Sequence, residues 1–406
     1  MTTRIGYFIP EFPGQTHIFF WREMQALRDA GITPEVVSTR LPDRAVMSHT
    51  WGEEARKQTE YLFPPSFGSF LGACWTMLRA GPFGWWRTLA ALACAESRLK
   101  LIPLVFIGAE LAWLASRKGW RHVHVHSCGN SAAIAMLANR LRGLSYSLTL
   151  HGPLRDYGSN QKLKWAHAAF AIVITRKLLG EAREQLAGSL PSRIELAPMG
   201  VDLKKFETPA TYRPWSGAGP VRLFSCGRLN ACKGHDDVVR AVARLRDQGV
   251  EVQLHIAGED DSGGAVRALL EQLKTELRLT EAVVLLGAVS EDVVRRELSE
   301  AHAFVLGSLE EPLGVAIMEA MAMRVPVVVT GAGGVPELVS DGVDGLLVPA
   351  RAPERMADSL LKLLRDPGLA ARLSESGRRK IETSFHSGVS ADVLRRCMDG
   401  GAAAQV

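Results

Sequence analysis

Twice along this chain, short apolar runs of strand length alternate with segments of helical period, and a stretch that does neither separates the two series. The first series predicts strands at 4–9, 34–38, 121–126, 145–150, 170–174 and 193–196. Helices are expected at 17–30, 129–141, 161–168 and 176–187, with a helix-dominated insertion at 66–118. Residues 203–219, where Pro209, Pro214, Gly217 and Gly219 crowd together, read as a linker. The second series predicts strands at 221–225, 251–257, 282–286, 303–306, 326–330 and 345–348. Its helices fall at 235–248, 264–279, 290–300, 314–323, 335–340, 354–365, 369–376 and 387–398. Strands joined by crossover helices of this length build parallel sheets covered on both faces. A chain of 406 residues exceeds one compact core and suits two. The expected fold is α/β, with two doubly wound, Rossmann-like domains at 1–205 and 206–385. Residues 386–406 are expected to form a helix packing back toward the first domain, with a frayed tail. Open parallel sheets bind ligands beyond the carboxyl ends of their strands. Two such edges facing across a cleft can hold a donor on one side and an acceptor on the other.

The net charge of +5 is a small excess for this length. It tolerates phosphate or anionic lipid but lacks the basic, aromatic-interleaved stripe of a nucleic-acid binder, so no nucleic-acid partner is expected. Six scattered cysteines form no C-x-x-C pair and read as buried thiols of a reducing compartment. With no leader pattern at the N-terminus, the expected location is cytoplasmic. Residues 66–95 (rich in Phe and Trp) and 101–116 (LIPLVFIGAELAWLAS) invite a membrane reading. The second is short for a span and carries Pro103 and Glu110. It reads as a buried helix or as a helix lying on the inner membrane face, where Arg79, Arg87, Arg98 and Lys100 suit an anionic surface.

Two strings carry the chemistry. In CGRLNACKG, 226–234, Gly227 allows close backbone approach, and Arg228 and Lys233 can both reach an anion at the following helix N-terminus. In LEEPLGVAIMEAM, Glu311 follows a strand, Gly314 opens a helix and Glu319 lies within it. Alone, each could be ordinary surface charge or a helix-start acid. No D-x-D occurs, so no metal is expected to bridge a diphosphate and the two cations would replace it.

Taken together, GRLNACKG, EEPLGVAIMEAMAMRVPVV about 80 residues later, and GGVPELVSDGVDGLLVP resemble the retaining GT-B glycosyltransferases of family 4. FPGQTHIFFWREMQAL at 12–27 resembles the opening of their exopolysaccharide and lipopolysaccharide branch, and HVHVHSCGNSAAIAMLANRLRG with SLTLHG resembles the stretch that follows. The resemblance covers about 4–385. It departs at Gln15-Thr16-His17, where many relatives carry Ser-Glu-Thr, and at Ala231-Cys232, where charged residues are common.

The resemblance implies a hexosyltransferase using a UDP- or GDP-sugar, without cofactor, on a glycan or polyprenyl-linked glycan. It implies that Arg228 and Lys233 hold the donor diphosphate, that Glu311 meets the sugar near C3 and C4, and that Glu319 binds the ribose. Leu313, Gly314 and Val315 line phosphate and sugar, Val289 lies beside the base, His151 contacts the sugar near its C6 hydroxyl, and Gly14 belongs to a loop over the diphosphate. Front-face attack, with the leaving phosphate taking the acceptor proton, needs no side-chain nucleophile. His122, His124 and His126 alternate onto one strand face, which could in principle hold zinc, but the family has a similar strand without metal. A non-catalytic nucleotide-sugar-binding partner subunit is the alternative reading.

Overall fold

The computed structural model describes residues 3–14, 17–42, 51–207 and 211–400. The departure at Gln15-Thr16 and the expected frayed end at 401–406 lie outside them. The chain forms two compact units, one of residues 1–198 with 388–406 and one of residues 199–387. The division falls at Met199 rather than at 206 because Val201 already bridges to His386 and Phe206 accepts a hydrogen bond from Arg378, both partners belonging to the second unit.

The first unit carries a seven-stranded parallel sheet. Its strands are β1 (Thr3–Glu11), β2 (Ile32–Arg40), β3 (Glu60–Phe63), β4 (His122–Val125), β5 (Ser145–Leu150), β6 (Ala171–Val173) and β7 (Ile194–Leu196), in the order β3-β2-β1-β4-β5-β6-β7. β1 is buried from Ile5 to Ile9, which explains its unbroken apolar run. Its core gathers Ile5, Tyr7 and Ile9 with Trp21, Met24 and Leu27 of the helix Ile18–Asp29. Ala391, Val393 and Leu394 of the helix Ser387–Met398 join the same cluster, so the last helix completes the first unit's core.

The insertion folds as the helices Phe67–Leu78, Gly81–Ala93 and Arg98–Lys118. The last is long and apolar enough to cross a bilayer, and half of its apolar window is buried. Gly108–Ala112 lie inside, where Gly108 sits against Ile134 and Leu137 of the helix Asn130–Arg142, while Leu99, Ile102 and Pro103 are exposed. The buried-helix reading therefore describes only its C-terminal half.

The second unit carries β8 (Val221–Cys226), β9 (Val252–Ala257), β10 (Val283–Gly287), β11 (Ala303–Leu306), β12 (Val327–Thr330) and β13 (Leu346–Val348), all parallel, in the order β10-β9-β8-β11-β12-β13. Val238, Val242 and Leu245 of the helix His235–Asp247 pack with Leu360 and Leu364 of the helix Pro353–Arg365 beneath this sheet. Burying each such side chain contributes roughly 1.5–3 kcal/mol. Both sheets reverse strand order once, between β1 and β4 and between β8 and β11. A doubly wound sheet opens a crevice at such a point.

Candidate active site

In the second unit, all of the sequence-predicted residues except Val289 lie on the elements that flank the β8/β11 reversal. The chain leaves β8 through Gly227 and Arg228, makes a short 3-10 turn at Ala231–Lys233, and enters the helix His235–Asp247. It leaves β11 through Gly307 and Ser308 to Glu311, then starts the helix Val315–Ala322 from Gly314. Glycine lets these loops touch. A Cβ on Gly234 would land inside contact distance of the Gly307 carbonyl oxygen, and Gly234 also needs a φ of +59°. Leu309 N donates to Cys232 O at 2.7 Å, tying the loops again.

This closeness joins Lys233 to Glu311 across the reversal, Nζ to Oε2 at 2.5 Å, with the side chains only 15% and 9% exposed. Ser308 Oγ donates to the same carboxylate oxygen at 3.2 Å. The loop after β12 supports Glu311 from beneath. Gly334 N donates to Glu311 O at 2.9 Å, and Gly333, at φ +63°, has no room for a Cβ against that carbonyl. Glu319 is buried in the helix Val315–Ala322. Burial, with Glu319's charge adding to it, pushes the Cys226 thiol at the end of β8 up to about 12. His235 is held neutral, its pKa brought down to about 4 by burial, and its Nε2 faces Gly227 O at 3.2 Å.

Arg228 takes a different partner. Its guanidinium donates to Asp261 Oδ2 at 2.6 Å, on the loop after β9, and Asn230 reaches the same oxygen at 3.3 Å. That loop is set by Asp260, whose carboxylate accepts from the Ser262, Gly264 and Arg267 amides, and by Gly258, packed on the Gly227 carbonyl. Leu313, Gly314 and Val315 form the start of the helix after β11, whose first amides have no partner within the helix. A Cβ on Gly314 (φ +105°) would approach Ile317 Cδ1 to 2.8 Å, so this glycine serves the local turn as well. Val289 lies past the end of edge strand β10, beside the loop after β9, whose Gly258 N donates to Gly287 O at 2.8 Å.

In the first unit, Gly14 and His151 lie in the loops after β1 and β5. Gly14 O accepts from His17 N at 3.0 Å. The His151 ring packs on Phe19 and Phe20, with centroids 5.3 Å away in each case, and its Nε2 lies 3.1 Å from His126 Nδ1. His126 Nε2 is 3.3 Å from a Glu23 oxygen, and the Tyr7 hydroxyl donates to the same carboxyl. Burial lowers the His126 pKa and raises that of Glu23, so burial disfavours the charged form of both partners. Burial likewise takes His151 down to about 3. His122 and His124 spend both ring nitrogens on hydroxyls of Ser145, Ser147 and Thr149 at 2.7–2.9 Å. Their alternation builds a β4–β5 ladder.

The structure thus brings together Lys233 and Glu311, and separately Arg228 and Asp261, while His151 and Gly14 belong to the other unit. Sequence reasoning missed Asp261, Ser308, Gly333, Glu23 and Tyr7. Of these only Gly333, in a glycine cluster just past a strand, carried a usable signal.

Residues 216–380 match the family described as Glycosyl transferases group 1. The chain is 31% identical over 405 residues to the putative colanic acid biosynthesis glycosyltransferase WcaL of Escherichia coli, covering 95% of this chain and 97% of that one. It is 30% identical over 314 residues to the alpha-D-kanosaminyltransferase of Streptomyces kanamyceticus, covering 70% and 80%. Its fold is that of Anabaena Alr3699/HepE, a structure solved in complex with UDP, with a TM-score of 0.74 at 18% identity over 98% of this chain and 100% of that one. With two Rossmann-like units and this likeness, the fold is GT-B.

Proposed function

The chain belongs to the group 1 glycosyl transferases, and from that premise we propose that it is a retaining, metal-independent hexosyltransferase of family 4. In this reading it moves a hexose from a nucleoside-diphosphate sugar to a glycan or polyprenyl-linked glycan, on the cytoplasmic side, during cell-surface polysaccharide assembly. The relatives named for colanic acid biosynthesis support the pathway class, and the fold neighbour solved with UDP-glucose supports a UDP-sugar ahead of a GDP-sugar.

The observation that carries the reading is the Lys233–Glu311 pair at the β8/β11 reversal. A cation and a carboxylate side by side suit a ligand whose diphosphate is anionic and whose sugar offers hydroxyl donors. Lys233 would turn to the diphosphate, joined by Arg228 from its Asp261 tether, and Glu311 would accept hydrogen bonds near C3 and C4. Glu319 would accept from the ribose, Leu313, Gly314 and Val315 would meet phosphate and sugar, and Val289 would flank the base. The family resemblance assigns His151, a neutral imidazole, to the C6 hydroxyl and the Gly14 loop to the diphosphate. As the anomeric bond breaks, charge grows on the departing phosphate, and fixed cations stabilise that growth more than the ground state. The acceptor oxygen would bond to the anomeric carbon on the face the phosphate leaves, as its proton passes to the departing phosphate oxygen, preserving configuration.

The test incubates the protein with radiolabelled UDP- and GDP-hexoses and lipid-linked acceptor extract, and reads the product anomer by NMR. Transfer with retention is expected, abolished by Glu311→Ala in a protein that still melts cooperatively. Transfer by that variant at the wild-type rate would sink the assignment, and an inverted product would sink the mechanism.

A further inference from the structure

The first two insertion helices pack with their small side chains inward, while the third, Arg98–Lys118, buries Leu101, Val105, Leu111 and Leu114 and exposes Leu99 and Ile102. The helix Phe67–Leu78 buries Gly72, Ala73 and Thr76, and the helix Gly81–Ala93 buries Gly84, Thr88 and Ala91. The glycines are contact points. A Cβ on Gly72 would collide with the Trp113 ring, and one on Gly84 with the Leu141 carbonyl. The large side chains point the other way. Phe67 and Leu99 are 80% and 83% exposed, and Trp75, Leu78, Phe83 and Trp86 are exposed with them. A water-facing helix normally buries its large apolar residues and exposes its polar ones, so this arrangement is inverted. Most of the exposed large apolar residues in the described chain lie between Phe63 and Ile102. That concentration marks an interaction surface.

From this surface we infer that the insertion docks the protein on an anionic lipid bilayer, lying in the interface without crossing it. Charge selects the partner. Between residues 61 and 109, Glu96 is the sole acid against Arg79, Arg87, Arg98 and Lys100. Glu96, though exposed, accepts a hydrogen bond from Asn160 N at 2.9 Å. Aromatic rings and arginine also suit a protein interface, but a surface whose charges are nearly all of one sign is matched by the uniformly anionic headgroups of a bilayer. The basic groups also sit among aromatics, with the Arg79 guanidinium 5.4 Å from the Trp75 ring and Arg87 5.6 Å from Phe83. Interfacial helices combine these features, aromatic rings at headgroup depth and cations at the lipid phosphates. Crossing is opposed by the C-terminal half of the helix Arg98–Lys118, which is built into the core of the unit through Gly108 and Ala109. The inference does not depend on the transfer chemistry.

The experiment is flotation of the full chain with vesicles of phosphatidylcholine alone or mixed with phosphatidylglycerol. The wild type should float with the mixed vesicles, and rising salt should weaken binding. Arg79→Gln/Lys100→Gln should lower partitioning by about fivefold per charge on mixed vesicles and leave neutral vesicles unaffected. Trp75→Ser/Leu78→Ser/Trp86→Ser should abolish flotation while the variant still melts cooperatively near the wild-type temperature, which keeps loss of docking distinct from loss of fold. Wild-type protein that ignores both vesicles, or a triple variant that floats unchanged, would overturn the inference. So would a wild type that self-associates through this face without binding lipid.

Discussion

Replacing Lys233 with Met, Glu311 with Gln, and both together separates a structural ion pair from a catalytic one. The two charges meet at 2.5 Å with little solvent access. At an effective dielectric near 20, their gross attraction is about 7 kcal/mol, much of it offset by desolvation. Breaking a buried pair from one side costs about 3–5 kcal/mol, because the remaining charge is stranded. Lys233 keeps some solvent access and Ser308 still donates to the carboxylate, so each single variant should lose about 2–3 kcal/mol. In a unit of this size that lowers the melting temperature by about 5–10 °C. The double variant strands no charge and should return to within about 1 kcal/mol of wild type. Activity should behave differently. In the proposed site each single replacement removes a group that would meet the donor and should cost about 100–1,000-fold in kcat, and the double variant should be at least as poor despite its recovered stability. Thermal melts and initial-rate kinetics on the four proteins form the cycle. A double variant that regained both stability and turnover would show the pair to be scaffolding and refute the reasoning.

Gly333→Ala should act on Glu311 through its backbone, because the added methyl meets the Glu311 carbonyl at a φ of +63°. Displacing the carboxylate by about 1 Å should cost on the order of 100-fold in kcat/KM, and an unchanged rate would mean that the loop after β12 does not position it. The buried histidines predict acid sensitivity. Burial takes His122 and His235 down to about 4 and His151 down to about 3, so below the unfolded value near 6.5 the unfolded chain binds protons that the native chain refuses. Each contributes stability that is complete above pH 6.5 and is lost as pH falls toward its folded pKa, about 2 kcal/mol per histidine between pH 7 and pH 5. Melting temperature should therefore fall over this range, and His122→Asn should flatten the slope. A melting temperature independent of pH between 7 and 5 would contradict the burial of these rings.

Most strands were legible because both faces of a parallel sheet are covered. Val327–Val329 and Ala303–Leu306 read as unbroken apolar runs and are buried throughout. β3 was not legible. Glu60–Phe63 is four residues at the sheet edge with only Leu62 buried, so neither alternation nor continuity marks it. The helix Pro367–Ser384 runs past the expected end at 376 because Gly377, which reads as a stop, instead lets the helix approach the Asp344 carbonyl, with a Cβ position 3.2 Å away. The short helix Gly52–Lys57 was also missed. In the site, residue types and strand-end positions were readable, but partnerships were not. Lys233 meets Glu311 across 78 positions and Arg228 meets Asp261 across 33. Both contacts follow from which loops the order β9-β8-β11 makes neighbours, which local sequence does not encode.

The central claim is that the β8/β11 crevice holds a nucleoside-diphosphate sugar. Calorimetric titration of the protein with UDP-, GDP- and ADP-hexoses at fixed ionic strength tests it most directly, with Glu319→Ala as the companion variant. The account predicts saturable one-to-one binding, strongest for a UDP-hexose, and weakened at least tenfold in a variant that remains folded. If none of the three nucleotides binds, or if Glu319→Ala binds as the wild type does, the donor site is not where this account places it.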